Sequence, residues 1–288
     1  MKSVLVTGAG GYIGRHVVDA LLSYDDVDIL AADYSVPDFS FDRRVCTLSG
    51  DLFDDAMRES LSQYGPIDSC VHLAWRNGFN HNADSHLHDL PKHFDFLRSL
   101  IDEGVGKIAV MGTMHEVGYW EGAIDESTPC NPENYYGIAK DALRKAFLLK
   151  AKSSGVIPLW LRAFYIYGDD ERSQSIFGKI ARADAAGEKE FPFTSGKNKY
   201  DFIHVDLLAK QIAACVMQES IQGVINCCTG VPVSLGEKVE SYISNNRLSI
   251  KLRYGAFPDR PYDSPGVWGD AEKIEAVMLE DEKMREGR

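Results

Sequence analysis

Six short apolar runs alternate with segments whose apolar residues recur at helical spacing, and this alternation limits the possible folds more than any other feature of the chain. The runs are VLVTG (4 to 8), VDILAAD (27 to 33), VCTLSGD (45 to 51), IDSCVHLA (67 to 74), KIAVMGT (107 to 113) and IPLWLRAF (157 to 164). Between them lie HVVDALLSY, DAMRESLSQY, a long stretch from about Ser85 to Glu103, and KDALRKAFLLKAKSS. Strands that alternate with helices need crossover connections, and right-handed crossovers place the helices on both faces of a parallel sheet. The expected class is α/β, with a doubly wound parallel sheet. Beyond Gly168 the pattern loosens into a polar loop (DDERSQ), a helix near 174 to 187, a short strand pair around Phe191 and Phe202, a helix from Val205, and strands at 223 to 228 and 250 to 254. The tail EDEKMREGR reads as a solvated, frayed end.

The first run opens into TGAGGYIG, which sets Gly8, Gly11 and Gly14 between a strand and a helix, with Tyr12 and Ile13 inside the turn. Glycines at this spacing allow a tight turn, close approach of the backbone to a pyrophosphate, and close helix-to-strand packing. Asp33 lies nineteen residues beyond Gly14, at the end of the second strand. A carboxylate there accepts from a ribose diol and repels a 2′-phosphate, so NAD is expected, with NADP left open because Arg43 and Arg44 follow in the next loop. These features define a Rossmann-type unit over residues 1–168, and residues 169–288 are expected to form mainly a smaller substrate lobe, with some segments returning to the sheet.

A net charge of −12 argues against binding to a nucleic-acid backbone. There is no run of 18 apolar residues and no charged leader ahead of an apolar segment, so no membrane partner is expected and a cytoplasmic location is. The six cysteines form no CxxC pair and read as free thiols. His81, His86, His88 and His93 crowd one stretch, but no two are at i and i+4 and no ligand motif completes them, so no metal site is expected.

Chemistry is suggested by the fifth run and the segment after it. Thr113 ends a strand at the carboxyl edge of the sheet, where ligands bind in such folds. Tyr136 and Lys140 are at i and i+4 at the start of a helix and project from one face. A cationic amine beside a phenol lowers its pKa, which would make Tyr136 an acid/base near neutral pH, while the Thr113 hydroxyl orients the same substrate oxygen. Arg76, in WRNGF, is a candidate contact for a sugar oxygen or phosphate, against a simply solvated role. Arg260, with Arg253 and Lys199, is a candidate for holding a diphosphate, against plain surface charge. His115, two residues past Thr113, faces the same side in an extended segment and is a candidate sugar contact, against a structural histidine.

Together TGAGGYIG, Asp33, Asp51-Leu52, His72-Leu73-Ala74, Thr113, YGIAK, LRAFYIYG (161 to 168), YDFIHVDLLA (200 to 209) and NCCTG (226 to 230) resemble, in order, the extended short-chain dehydrogenase/reductases that modify nucleotide-activated sugars. The resemblance covers about residues 2 to 275. It implies a dinucleotide held by the glycine turn, Asp33, Asp51, Leu52, Leu73, Ala74 and Lys140. It also implies Tyr136 as acid/base, Thr113 on the sugar oxygen, a nucleotide-sugar substrate, and a homodimer through the helices near 85 to 103 and 136 to 152. Family dehydratases carry acids directly after the strand-end threonine, where this chain has Met114 and His115, with Glu116 displaced by one and pointing elsewhere. Tyr165 stands where an asparagine is common, which unsettles the diphosphate contact there. The expected reaction is reduction of a nucleotide-linked 4-keto-6-deoxyhexose. The alternatives are a nucleotide-sugar 4-epimerase and a non-catalytic dinucleotide sensor.

Overall fold

The computed structural model describes residues 1–37, 39, 42–168, 175–259 and 264–287. In chain order the first part forms β1 (Lys2–Thr7), α1 (Tyr12–Leu22), β2 (Val27–Asp33), β3 (Val45–Ser49), α2 (Asp55–Tyr64), β4 (Ser69–His72), α3 (Ser85–Asp102), β5 (Lys107–Thr113), β6 (Gly122–Ile124), α4 (Tyr135–Ala151) and β7 (Ile157–Ala163). The rest supplies β8 (Tyr165–Tyr167), α5 (Ile176–Ala185), β9 (Glu190–Pro192), β10 (Lys199–His204), α6 (Val205–Met217) and β11 (Gly223–Cys227). It continues with β12 (Pro232–Ser234), α7 (Leu235–Asn245), β13 (Lys251–Arg253), β14 (Gly266–Gly269) and α8 (Glu272–Glu286).

Seven strands make one sheet in the order β11-β7-β5-β4-β1-β2-β3, and every neighbouring pair is parallel. The order reverses between β1 and β4, and a crevice opens at the carboxyl ends of the strands where it does so. Alternation along β1 divides the core between the two faces. Val4 and Val6 join α1 and α6 through Val17, Val18 and Ile212, while Leu5 joins α3 and α4 through Phe96, Leu97 and Phe147. All seven residues of β5 are buried, as expected of a parallel strand covered on both sides. A second, five-stranded sheet, β12-β10-β14-β6 with β8 on β10, lies beyond these ends.

Two expectations fail. The strands around Phe191 and Phe202 do not pair with each other. β10 is occupied by β12, β14 and β8, so β9 instead takes β13 as its partner. The charged tail is not frayed, because α8 runs through it with Ile274 and Val277 buried one turn apart. Its Asp281 is buried and accepts from the Tyr24 hydroxyl (2.7 Å) and from Arg285 Nε (2.8 Å). Among the described residues, no helix is long and apolar enough to cross a membrane.

Candidate active site

The glycine turn is shaped by contacts that leave no room for a side chain. Gly8 has φ +71°, and a Cβ there would sit 2.7 Å from the Ala74 nitrogen, so the turn is pressed against the end of β4. At Gly14 a Cβ would lie 2.0 Å from the Gly8 carbonyl oxygen, which closes α1 onto the loop. Gly11 precedes α1 with no side-chain cap, so the helix N-terminus is free to meet an anion. Asp33 accepts from the Gly10 N–H (2.9 Å) and the Tyr34 N–H (2.7 Å). A carboxylate has about four acceptor positions, so those left over suit a ribose diol. Asp51 accepts from the Phe53 N–H at 3.0 Å and from the Tyr34 phenol, while Leu52 is buried beside it. These residues fit an adenine dinucleotide.

Arg44 is committed elsewhere. Its guanidinium donates to the carbonyls of Tyr24 (2.8 Å) and Leu22 (3.0 Å) and to both carboxylate oxygens of Asp42 (3.1 and 2.7 Å). Binding a 2′-phosphate would require it to break these bonds at the end of α1. Arg43 is exposed.

A cleft of about 1150 Å³ brings this turn together with Thr113, Tyr136, Lys140 and His115. α4 is capped by Asn134, whose side chain accepts from the Gly137 N–H (2.8 Å), and a Cβ on Gly137 would lie 2.3 Å from the His115 carbonyl oxygen. The helix therefore seats directly on the segment after β5, and its first turn carries Tyr136 to the end of that strand. The Tyr136 phenol hydrogen-bonds to the Thr113 side chain.

Lys140 lies over the Tyr136 ring, but its nearest partners are on other elements. Its Nζ donates to the Met111 carbonyl (2.7 Å), lies 3.8 Å from the centre of the Trp75 ring, and is 6.0 Å from that of Tyr136. Burial pushes the Tyr136 phenol upward, against the pull of its bond to Thr113, and burial lowers Lys140 to about 7. Tyr136 is thus held as a protonated donor.

The segment Met114–Glu116 is a single 3-10 turn, not an extended strand. Thr113 caps it: its Oγ1 accepts from the His115 N–H (3.3 Å), and Glu116 Oε1 accepts from the Thr113 N–H (2.7 Å). The turn sends Glu116 into the core, fully buried, where it accepts from Trp160 Nε1 (3.0 Å) and lies 3.6 Å from the guanidinium nitrogens of both Arg144 and Arg162. Met114 and His115 remain on the cleft wall.

Other candidates separate from the site. Arg76 is paired with Asp89 of α3 and does not line the cleft. Arg253 and Lys199 are exposed, and Arg260 lies outside the described residues. Tyr165 lines the cleft with its ring 4.2 Å from that of Tyr200. His86 and His93 are buried around Trp75. Trp75 Nε1 donates to His86 (3.0 Å), and His93 stacks on the indole at 4.3 Å. His93 Nδ1 is 2.9 Å from His72 Nε2, and His72 Nδ1 is 2.8 Å from the Thr7 hydroxyl, so His86 and His93 serve the packing beneath Lys140, while His88 is exposed. His81 is the one member that faces the cleft beside Tyr136, and its backbone carbonyl accepts from the Tyr136 N–H (2.9 Å).

A doubly wound sheet with a glycine turn, a strand-end threonine and a helix-borne Tyr and Lys around one cleft defines a dinucleotide-dependent oxidoreductase. The chain belongs to the NAD dependent epimerase/dehydratase family, whose model matches residues 4–228. It is 42% identical over 268 residues to the dTDP-6-deoxy-L-talose 4-dehydrogenase (NAD(+)) of Aggregatibacter actinomycetemcomitans, covering 93% of this chain and 99% of that one. It is 25% identical over 302 residues to a UDP-glucose 4-epimerase of Halalkalibacterium halodurans, covering 96% and 89%. In three dimensions it is similar to the UDP-N-acetylglucosamine 4-epimerase of Methanobrevibacter ruminantium M1, with TM-score 0.83, 22% identity, and coverage of 96% and 91%. The chain is an NAD-dependent enzyme of the extended short-chain dehydrogenase/reductase type.

NADH is expected to bind more tightly than NADPH, by about tenfold or more, because Asp33 repels the extra phosphate and Arg44 is not available to hold it. Dissociation constants for the two cofactors measure this, and tighter binding of NADPH would contradict it.

Proposed function

We propose that the enzyme reduces a nucleotide-linked 4-keto-6-deoxyhexose to the 6-deoxysugar, the reverse of the oxidation named for the Aggregatibacter relative. The observation that carries this reading is the environment of the reacting oxygen: the Tyr136 phenol bonded to Thr113, with the Met114 thioether beside them and Glu116 turned into the core. When bound, the reduced nicotinamide supplies the hydrogen and electron pair gained by the keto carbon. Tyr136 gives its phenol proton to the oxygen, and Thr113 orients that oxygen by hydrogen bonding. Lys140, which lines the same cleft, holds the ribose hydroxyls next to the nicotinamide in this reading. A thioether cannot expel a sugar's 6-hydroxyl, which argues against dehydration. Pairing of two copies is supported by Tyr135, Ile138 and Leu149, which leave exposed apolar surface along α4.

The second reading, a nucleotide-sugar 4-epimerase, is supported by the relatives of that name and uses the same Tyr and Lys. Stoichiometry separates the two. A reductase exchanges its cofactor at every turnover, so the protein is expected to purify largely free of dinucleotide. It should oxidise one NADH per dTDP-linked 4-keto-6-deoxyhexose and run backward with NAD and dTDP-6-deoxy-L-talose. Tightly retained NAD, with UDP-glucose and UDP-galactose interconverted and no net change in NADH, would replace this reading with the epimerase.

A further inference from the structure

His81 and His115 meet on the cleft wall with ring centres 4.3 Å apart, and both flank Tyr136. The His81 ring stacks on the Tyr136 ring at 5.4 Å and 16°, and the His115 ring lies 6.1 Å from it, edge to face. The mounting of His81 is rigid. Its ring donates to the Gly78 carbonyl, its own carbonyl accepts from the Tyr136 N–H, and the neighbouring Asn82 side chain accepts from the Tyr135 N–H at 3.4 Å. The loop that carries it holds Asn77 in the left-handed region (φ 59°), fixed by a 2.9 Å bond from its amide to Ser85. His115, in contrast, has no hydrogen-bond partner for either ring nitrogen among the described residues.

A half-buried imidazole with unused nitrogens depends on solvent until a ligand displaces it, and a ligand that offered nothing in return would bind at a cost. Burial holds both histidines below their usual pKa, reinforced at His81 by the nearby His86 and at His115 by His81, with His115 at about 4, so both are neutral near pH 7. A neutral imidazole offers one donor and one acceptor, which matches a hydroxyl group. Thr113 and Tyr136 fix the reacting oxygen, and His115 begins two residues further along the same capped turn.

Resting on the reductase reading, we propose that His115 binds the sugar hydroxyl on the carbon next to the reacting one, and that His81 is the positioning residue that holds the His115 ring for that bond. Substrates of this site are then hexoses with a free hydroxyl vicinal to the keto carbon.

Calorimetry with dTDP-6-deoxy-L-talose and with dTDP alone tests this, with NADH affinity as the control for folding. His115→Phe keeps the ring but removes both nitrogens, and is expected to weaken the sugar nucleotide by about tenfold or more while changing dTDP by less than about twofold. His81→Phe is expected to cost several-fold, mainly in KM. His81→Asn, which can still donate to Gly78, should recover part of that loss. In the double Phe variant the loss should equal that of His115→Phe alone, because His81 acts through His115. A dTDP-3,6-dideoxyhexose, which lacks the hydroxyl, should bind wild type and His115→Phe equally. Undiminished sugar affinity in His115→Phe, additive losses in the double variant, or equal losses for the dideoxy sugar would overturn the clamp and leave the reductase reading intact. A wild-type protein that binds no dTDP-sugar would overturn both.

Discussion

Replacing Tyr136 with phenylalanine is expected to lower turnover by about 10²- to 10⁴-fold and to leave NADH affinity nearly unchanged. The substitution removes one oxygen and keeps the ring that packs against His81 and His86. The fold and the glycine turn have no reason to move. The loss should fall on kcat, since Thr113 still orients the substrate oxygen while no group remains to protonate it. Steady-state kinetics alongside a fluorescence titration of NADH read the two effects separately. Near-normal turnover would mean that the proton comes from another group and that the assigned site is wrong.

The second large effect concerns stability. Glu116→Leu is expected to destabilise the protein by about 3–5 kcal/mol, because it leaves the fully buried Arg162 without its countercharge. Arg162 keeps bonds to the Asp125 carbonyl (3.1 Å) and the Asn226 side chain (3.4 Å), but both are neutral acceptors. Arg144 loses a second partner as well, although it retains Asp141 at 2.7 Å. The cap on the Met114–Glu116 turn goes too, since the Thr113 N–H loses its acceptor. Chemical denaturation should show a lower midpoint with little change in slope. A midpoint within error of wild type would show that Glu116 and the arginines do not depend on each other.

What could be read from the sequence was local. Six of the seven strands of the main sheet and the helices that alternate with them follow from periodicity within a single window, and the glycine turn follows from spacing over eight residues. Residues brought together from distant segments were not legible. Tyr136 and Lys140 share a helix face, as the i and i+4 spacing requires, but which neighbour the amine meets is decided by the Met111 carbonyl and by Trp75 on other elements. Arg44 could have been a phosphate ligand on sequence alone. Its capture by the end of α1 depends on how the loop after β2 returns. The pairing of β9 with β13 joins segments about sixty residues apart that carry no mark of each other. The turn at Met114–Glu116 is a local feature too: Thr113 and Glu116 have the spacing of a capping box, which signals a helical turn and not an extended segment.

The packing of α1 has a consequence for how the protein is made. α6 covers α1, α8 covers α6, and Tyr24 is bonded to Asp281 across a separation of 257 residues. A ribosome adds about 5–20 residues per second, so roughly ten seconds to a minute pass between the emergence of Tyr24 and that of Asp281. During that interval Val17, Val18 and Leu21 have been synthesised without the helices that bury them. The apolar face of α1, beside the turn that receives the cofactor, is therefore made well before the segments that cover it, and the Tyr24–Asp281 bond that fastens α8 to the end of α1 forms only after the 257 residues between them have been added.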